Sequence, residues 1–126
     1  MKKIVSTKNA PAAIGPYSQA ISVNDFLFTS GQIGIVPSTG NLAGDDITSQ
    51  TKQVMENLKN ILAEAGLSFS NVVKTTVFIQ NMNDFATVNA IYAESFGTDA
   101  PARSCVAVSS LPKGALIEIE VIATAD

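Results

Sequence analysis

The chain has 126 residues, 46% of them hydrophobic and 15% charged, with a formal net charge of −3. That suits one compact domain spanning residues 1–126 and leaves no room for a second. The absence of histidine and the single cysteine exclude Ser-His-Asp and Cys-His nucleophiles and the usual zinc sites, those of the zinc nucleobase deaminases included.

The first predicted element is a short edge strand at residues 3–6, too small and polar-flanked to be a signal-peptide core. Residues 20–23 and 26–30 read as a hairpin around Asn24-Asp25. The next apolar spacing, Ile47, Thr51, Val54, Leu58, Ile61, Leu62 and Ala65, keeps to one helical face, with Asp45 or Asp46 as cap and Gly66 at C′. A strand is predicted over 72–79, with Val73, Val77 and Ile79 on one face and Val72 and Phe78 on the other. A second helix follows from about Asp84 to Phe96, with Phe85, Val88, Ile91 and Tyr92 on its apolar side and Gly97 as the stop. Strands over 102–108 and 115–123, joined by a turn at Leu111-Pro112-Lys113-Gly114, complete the order.

Two long connections among hairpins imply an α+β domain with both helices on one face of a mixed sheet. In the last strand Ile117, Ile119, Val121 and Ala123 belong under the helices, and Leu116, Glu118, Glu120 and Ile122 on the uncovered side. That second face, partly apolar, predicts a homo-oligomer that covers it. A half-buried carboxylate at such an interface would have its pKa raised by desolvation unless a cation answers it.

Nothing in the chain reaches membrane-spanning length, and Cys105 alone cannot form an intrachain disulfide, so a cytoplasmic protein is expected. Cys105 reads as a small buried strand residue. Seven lysines scattered through an acidic chain argue against an electrostatic hold on nucleic acid. Gly31-Gln32-Ile33-Gly34 is too short and generic to cradle phosphate. Catalysis must therefore use carboxylates, Arg, Tyr, Ser/Thr or backbone amides.

Arg103 opens an otherwise small and apolar strand and needs an anionic partner. Glu118 or Glu120 could serve, or a ligand carboxylate gripped by the guanidinium fork; the alternative is an edge arginine with its head in water.

Several separated segments then fall into one pattern: Asn9-Ala10-Pro11-Ala12-Ala13-Ile14-Gly15-Pro16-Tyr17-Ser18-Gln19, Thr29-Ser30-Gly31-Gln32, Val73-Lys74-Thr75-Thr76-Val77-Phe78, Asn83-Asp84-Phe85, Pro101-Ala102-Arg103-Ser104 and Ile117-Glu118-Ile119-Glu120. In order and spacing they resemble the RidA (YjgF) family nearly end to end. The resemblance implies a chorismate mutase-like α+β fold, a homotrimer with sites at the subunit clefts, and a cofactor-independent, metal-free deaminase. Such enzymes hydrolyse 2-imino acids released by pyridoxal-phosphate enzymes to 2-keto acids and ammonia. Carried over by position, it makes Arg103 the clamp for the substrate carboxylate and Glu118 the residue that orients or deprotonates water. Tyr17 becomes a pocket wall with a reaching hydroxyl, held by the stiff Gly15-Pro16 turn. Ser30, Gly31, Asn89 and the backbone amide of Cys105 add substrate contacts. From the residues alone, Tyr17 could instead be an aromatic packed over a loop, Asn89 a surface residue, and Ser30 a hydroxyl satisfied by nearby backbone. The segment 96–100 is shorter than in some members, which bears on the substrate side chain. A ligand-binding or regulatory module using the same cleft is the second expectation, and the endoribonuclease or translation-inhibitor activity attributed to some relatives the last.

Overall fold

A computed structural model describes residues 1–125. Its strands are β1 (Lys3–Val5), β2 (Ala20–Val23), β3 (Phe26–Thr29), β4 (Gln32–Ile33), β5 (Val72–Ile79), β6 (Ala102–Ala107) and β7 (Ile117–Thr124). The helices are α1 (Ile47–Glu64) and α2 (Phe85–Phe96). The strands form one mixed sheet in the order β1-β2-β3-β7-β5-β6, with β4 also paired to β7. Only β5 and β6 run parallel, because α2 crosses between them; the other pairs are antiparallel.

Local chemistry explains the boundaries. Asn24 takes φ +50° in the β2–β3 turn, a left-handed conformation that asparagine tolerates. Asp46, not Asp45, caps α1: its carboxylate accepts from the Ser49 amide at 2.9 Å, and that bond lowers its pKa. Gly66 ends the helix at φ +77°. Before α2, a 3-10 turn at Met82–Asp84 takes up the first predicted residue.

The core lies between the helices and one face of the sheet. Val54, Leu58, Ile61 and Leu62 from α1 and Val88 from α2 are wholly buried against Leu27, Val77, Ile79, Ile117 and Ile119. Each such side chain contributes about 1.5–3 kcal/mol relative to exposure. As expected, Ile117, Ile119, Val121 and Ala123 face the helices, and Glu118, Glu120 and Ile122 the other side.

Four expectations need correction. Between Val72 and Lys74 the pairing with β7 slips by one residue, so Val72 is buried and Val73 exposed; a bulge reverses the facing that strict alternation gives. β1, β3 and β6 each stop one residue early. β7 runs over 117–124, because residues 112–114 form a 3-10 turn with Lys113 at φ +59°. The two-residue β4 was not foreseen. It forms because Asn57 on α1 donates to the Ile33 and Ile35 carbonyls at 3.3 and 2.9 Å, and Gly34 lets the helix backbone at Gln50 approach.

The helix-free face carries an apolar ladder in register across four strands, Ile4, Ile21, Phe28 and Ile122. Ile4, Phe26, Phe28 and Val106 are among the large side chains left exposed.

Candidate active site

The predicted site residues fall into two groups on opposite faces of the sheet. Glu118 anchors the first. Chain β3 leaves the sheet after Thr29 and returns as β4, and in that gap Gly31 lies against the Glu118 side chain. A Cβ on Gly31 would stand 2.6 Å from Glu118 Cδ and 2.9 Å from Cγ, so only glycine leaves the carboxyl its place. Glu118 is half-buried and no described residue pairs with it as a cation. Burial pushes its pKa up, and the neighbouring Glu120 carboxylate adds to the shift.

Ser30 and Tyr17 join this group through the backbone. The Ser30 amide donates to the Gln19 carbonyl at 2.9 Å, and its hydroxyl donates to the Ser18 carbonyl at 2.6 Å. The serine proton is thus used locally, and what the hydroxyl offers a ligand is its lone pairs. Gln19, 3% exposed, holds the preceding loop with donations from Nε2 to the Thr7, Ala10 and Pro11 carbonyls and an acceptance from the Thr7 amide. Gly15 at φ +124° then turns the chain so that Tyr17 lines a groove of about 490 Å³ with Pro16, Ser18, Phe28 and Ser30. Tyr17 is 52% exposed, and its hydroxyl has no hydrogen-bond partner among the described residues. It is not packed away over a loop.

Arg103 anchors the second group. On β6 it pairs with Thr75, which pairs with Val121, so its side chain shares the helix face; Glu118 pairs with Phe78, which pairs with Val106, on the face opposite. Three residues along the strand and two strands across put the two Cα atoms about 14 Å apart, with the sheet between the side chains. Arg103 therefore cannot pair with Glu118 or Glu120 of its own chain, contrary to one sequence expectation. Instead Nη1 donates to Asn89 Oδ1 at 2.6 Å, and the guanidinium lies 5.3 Å from the Phe85 ring centroid and 4.9 Å from that of Tyr92. Among the described residues no carboxylate pairs with it.

Asn89 is thus a partner of Arg103 and not merely a surface residue. Cys105 is half-buried on the same face of β6; burial raises its thiol pKa and the Arg103 charge opposes the rise, so the thiol stays protonated. Because β6 ends the sheet, alternate amides along it have no strand partner. Thr75, Phe85 and Tyr92 were not foreseen at the site. The available signal was the spacing Phe85, Asn89, Tyr92, four and three residues apart on one helix face.

This arrangement defines a class: an α+β domain with helices on one face of a mixed sheet, carrying on that face an arginine held by two rings and an amide oxygen, and a half-buried glutamate on the other. Residues 7–125 match the family described as Endoribonuclease L-PSP, and the chain belongs to that family, the RidA/YjgF proteins. It is 56% identical over 123 residues to a RutC family protein of Pyrococcus horikoshii, covering 98% of each chain. The 2-iminobutanoate/2-iminopropanoate deaminase of Salmonella typhimurium is 52% identical over 127 residues, again covering 98% of each. Among solved structures, the conserved Rid family protein YyfA of Yersinia pestis, of unknown function, superposes with a TM-score of 0.96 at 57% identity over 98% of this chain and 99% of that one. The Escherichia coli YjgF gene product gives 0.93 at 48% identity, with the same coverage. No helix among the described residues is long and apolar enough to cross a membrane.

Proposed function

We propose that the chain is an imine deaminase that hydrolyses small 2-imino acids, 2-iminobutanoate and 2-iminopropanoate, to 2-keto acids and ammonia, and so removes reactive products of pyridoxal-phosphate enzymes. The observation that carries this reading is Arg103, a cation held by rings and an amide oxygen with no carboxylate partner among the described residues. Deaminases named for these imines are 48–52% identical to the chain.

The 2-carboxylate sits on the Arg103 fork. The protonated imine is already electrophilic at C2, so the site need only orient it and deliver water. Water oxygen bonds to C2 as Glu118 takes the water proton, and the imine electron pair moves to nitrogen. Glu118 then returns the proton to that nitrogen, the C–N bond breaks with its pair on the departing ammonia, and loss of the hydroxyl proton leaves the ketone. A carboxyl whose pKa is raised by burial suits both transfers. Ser30 accepts from the imine N–H, the Tyr17 hydroxyl reaches the nitrogen or the water, and the Cys105 amide donates to the substrate. No metal or cofactor enters any step.

Because Arg103 and Glu118 face opposite sides of one sheet, we place the site between copies of the chain, in a homotrimer in which the helix-free face of each copy is covered by its neighbour at the β6 edge. One subunit supplies Arg103, Asn89 and Cys105, and its neighbour supplies Tyr17, Ser30, Gly31 and Glu118. The apolar ladder on that face supports the assembly. We place the protein in the cytoplasm, where its single thiol stays reduced.

The test is loss of 2-iminobutanoate, generated by a threonine dehydratase and competed against semicarbazide, with wild type and Arg103→Ala. Faster loss that disappears in the variant is expected; no acceleration by folded wild type would remove the assignment. A second reading, a sensor of keto or imino acids, is favoured by a 54% identical relative from Lactococcus lactis named a putative regulator. It requires saturable 2-ketobutyrate binding without turnover. The endoribonuclease name of the family is a third, against which stand the acidic charge and the missing histidine. A steeply salt-dependent RNA affinity would restore it.

A further inference from the structure

Thr75, the register partner of Arg103, is fully buried, and its hydroxyl shares a 2.7 Å hydrogen bond with that of Tyr92. Tyr92 is 5% exposed, and its ring also lies 4.6 Å from that of Phe96. Its hydroxyl is tied at one end and its ring wedged along one side, so the ring has a single position beside Arg103. Burial raises the Tyr92 pKa, which keeps the hydroxyl neutral and the hydrogen bond to Thr75 intact.

We propose that Tyr92, anchored by Thr75, is a positioning residue: with Phe85 it holds the Arg103 guanidinium against α2, so that the donors Asn89 leaves free form a fixed fork for the substrate carboxylate. This rests on the clamp role proposed for Arg103. The reason for rings here is chemical. A carboxylate partner would neutralise the charge and occupy the in-plane N–H donors, whereas an aromatic face attracts the cation through its quadrupole and leaves those donors free. Asn89 Oδ1 takes one of five. A guanidinium already stacked also loses less side-chain freedom when the substrate arrives.

Arg103 is the only arginine in the sequence, so its guanidinium ¹⁵N–¹H signals can be read without ambiguity in the full-length protein. In wild type the Nε–H should be ordered and shifted upfield by the rings. Tyr92→Leu should abolish the shift and the order, while the double variant Thr75→Val/Tyr92→Phe, which keeps the ring and cuts its tether without orphaning a hydroxyl, should keep the shift and lose part of the order. In turnover of 2-iminobutanoate, Tyr92→Leu should raise KM about tenfold with kcat within about twofold, and the double variant, its ring kept but untethered, should raise KM about threefold with kcat likewise within about twofold. Should Tyr92→Leu fail to fold, Phe85→Leu reads the same signals from the other ring. A disordered Arg103 in wild type, a spectrum unmoved by loss of either ring, or a fall in kcat at constant KM would overturn the proposal. A wild type that does not accelerate imine loss would instead overturn the deaminase reading, and the arginine spectrum would still decide whether the rings hold the guanidinium.

Discussion

Glu118 is made to bind its proton more tightly than an ordinary carboxyl, first by burial and then by Glu120 beside it. Relative to an unfolded chain near the ordinary value of 4.5, the folded state takes up the proton more readily. The stability that Glu118 contributes is therefore complete below that value and lost as pH rises through the raised folded pKa. At neutral pH the folded protein bears the cost of a half-buried charge. Glu118→Gln should lower imine turnover by roughly 10²–10⁴-fold while raising the urea midpoint at pH 7.5 and flattening its decline above pH 4.5. Urea titrations at several pH values, run beside the turnover assay, check both limbs. A variant no more stable than wild type would show that the charge is already compensated. At this scale the sequence singles out chemical groups but not the partners they take. Arg103 stood out as a lone cation, but its pairing with Thr75 turns it toward α2 and away from Glu118. Ser30, for which the residues alone offered satisfaction by nearby backbone, does spend its proton on the Ser18 carbonyl, but which carbonyl takes it was not readable. Such outcomes depend on register and loop path, which residue type does not encode.

Between residues and the whole fold, the elements were legible wherever a period of 3.6 or 2 ran long enough to be read. The eight residues of β5 and the apolar face of α1 came through. The bulge at Val73 and the two-residue β4 did not, since neither leaves a periodic trace. Nor did the buried amides of α1. Gln50 and Asn57 sit at 2% and 0% exposure on a helix whose buried face was read from its apolar residues. Most of their partners are backbone groups outside the helix: Asn57 donates to the Ile33 and Ile35 carbonyls while accepting from Gln53 within α1, and Gln50 accepts from the Leu116 amide and donates to the Gly44 carbonyl, both at 2.8 Å. This single side chain ties α1, the loop before it and the entry to β7, the strand that carries Glu118. Gln50→Ala would strand both backbone groups and open a cavity, at a cost of roughly 2–4 kcal/mol. Equilibrium denaturation of the purified variant checks the figure, and a loss below about 0.5 kcal/mol would mean that water replaces the amide without penalty.

For the whole molecule the decisive fact is that one chain cannot bring its own arginine and glutamate together. The sheet separates them by its thickness and by about 14 Å between Cα atoms, and closing that distance would require dismantling the core. A second copy solves the problem without strain if its helix-free face, with Glu118 and the apolar ladder, meets the edge of the sheet formed by β6. Two inactive proteins should then repair each other. Arg103→Ala retains a good glutamate and Glu118→Gln a good arginine. In a cyclic trimer assembled at random from equal amounts of the two, three quarters of the molecules are mixed, and each mixed trimer has one interface that unites both wild-type residues. Co-refolding the two variants should thus restore about one quarter of wild-type turnover, while mixing them without unfolding should restore activity only as fast as subunits exchange. If the site lay within one chain, no mixture could exceed the sum of its inactive parts. Recovery therefore reports both the oligomer and the shared site, and its absence from co-refolded, correctly sized trimers would place the chemistry elsewhere.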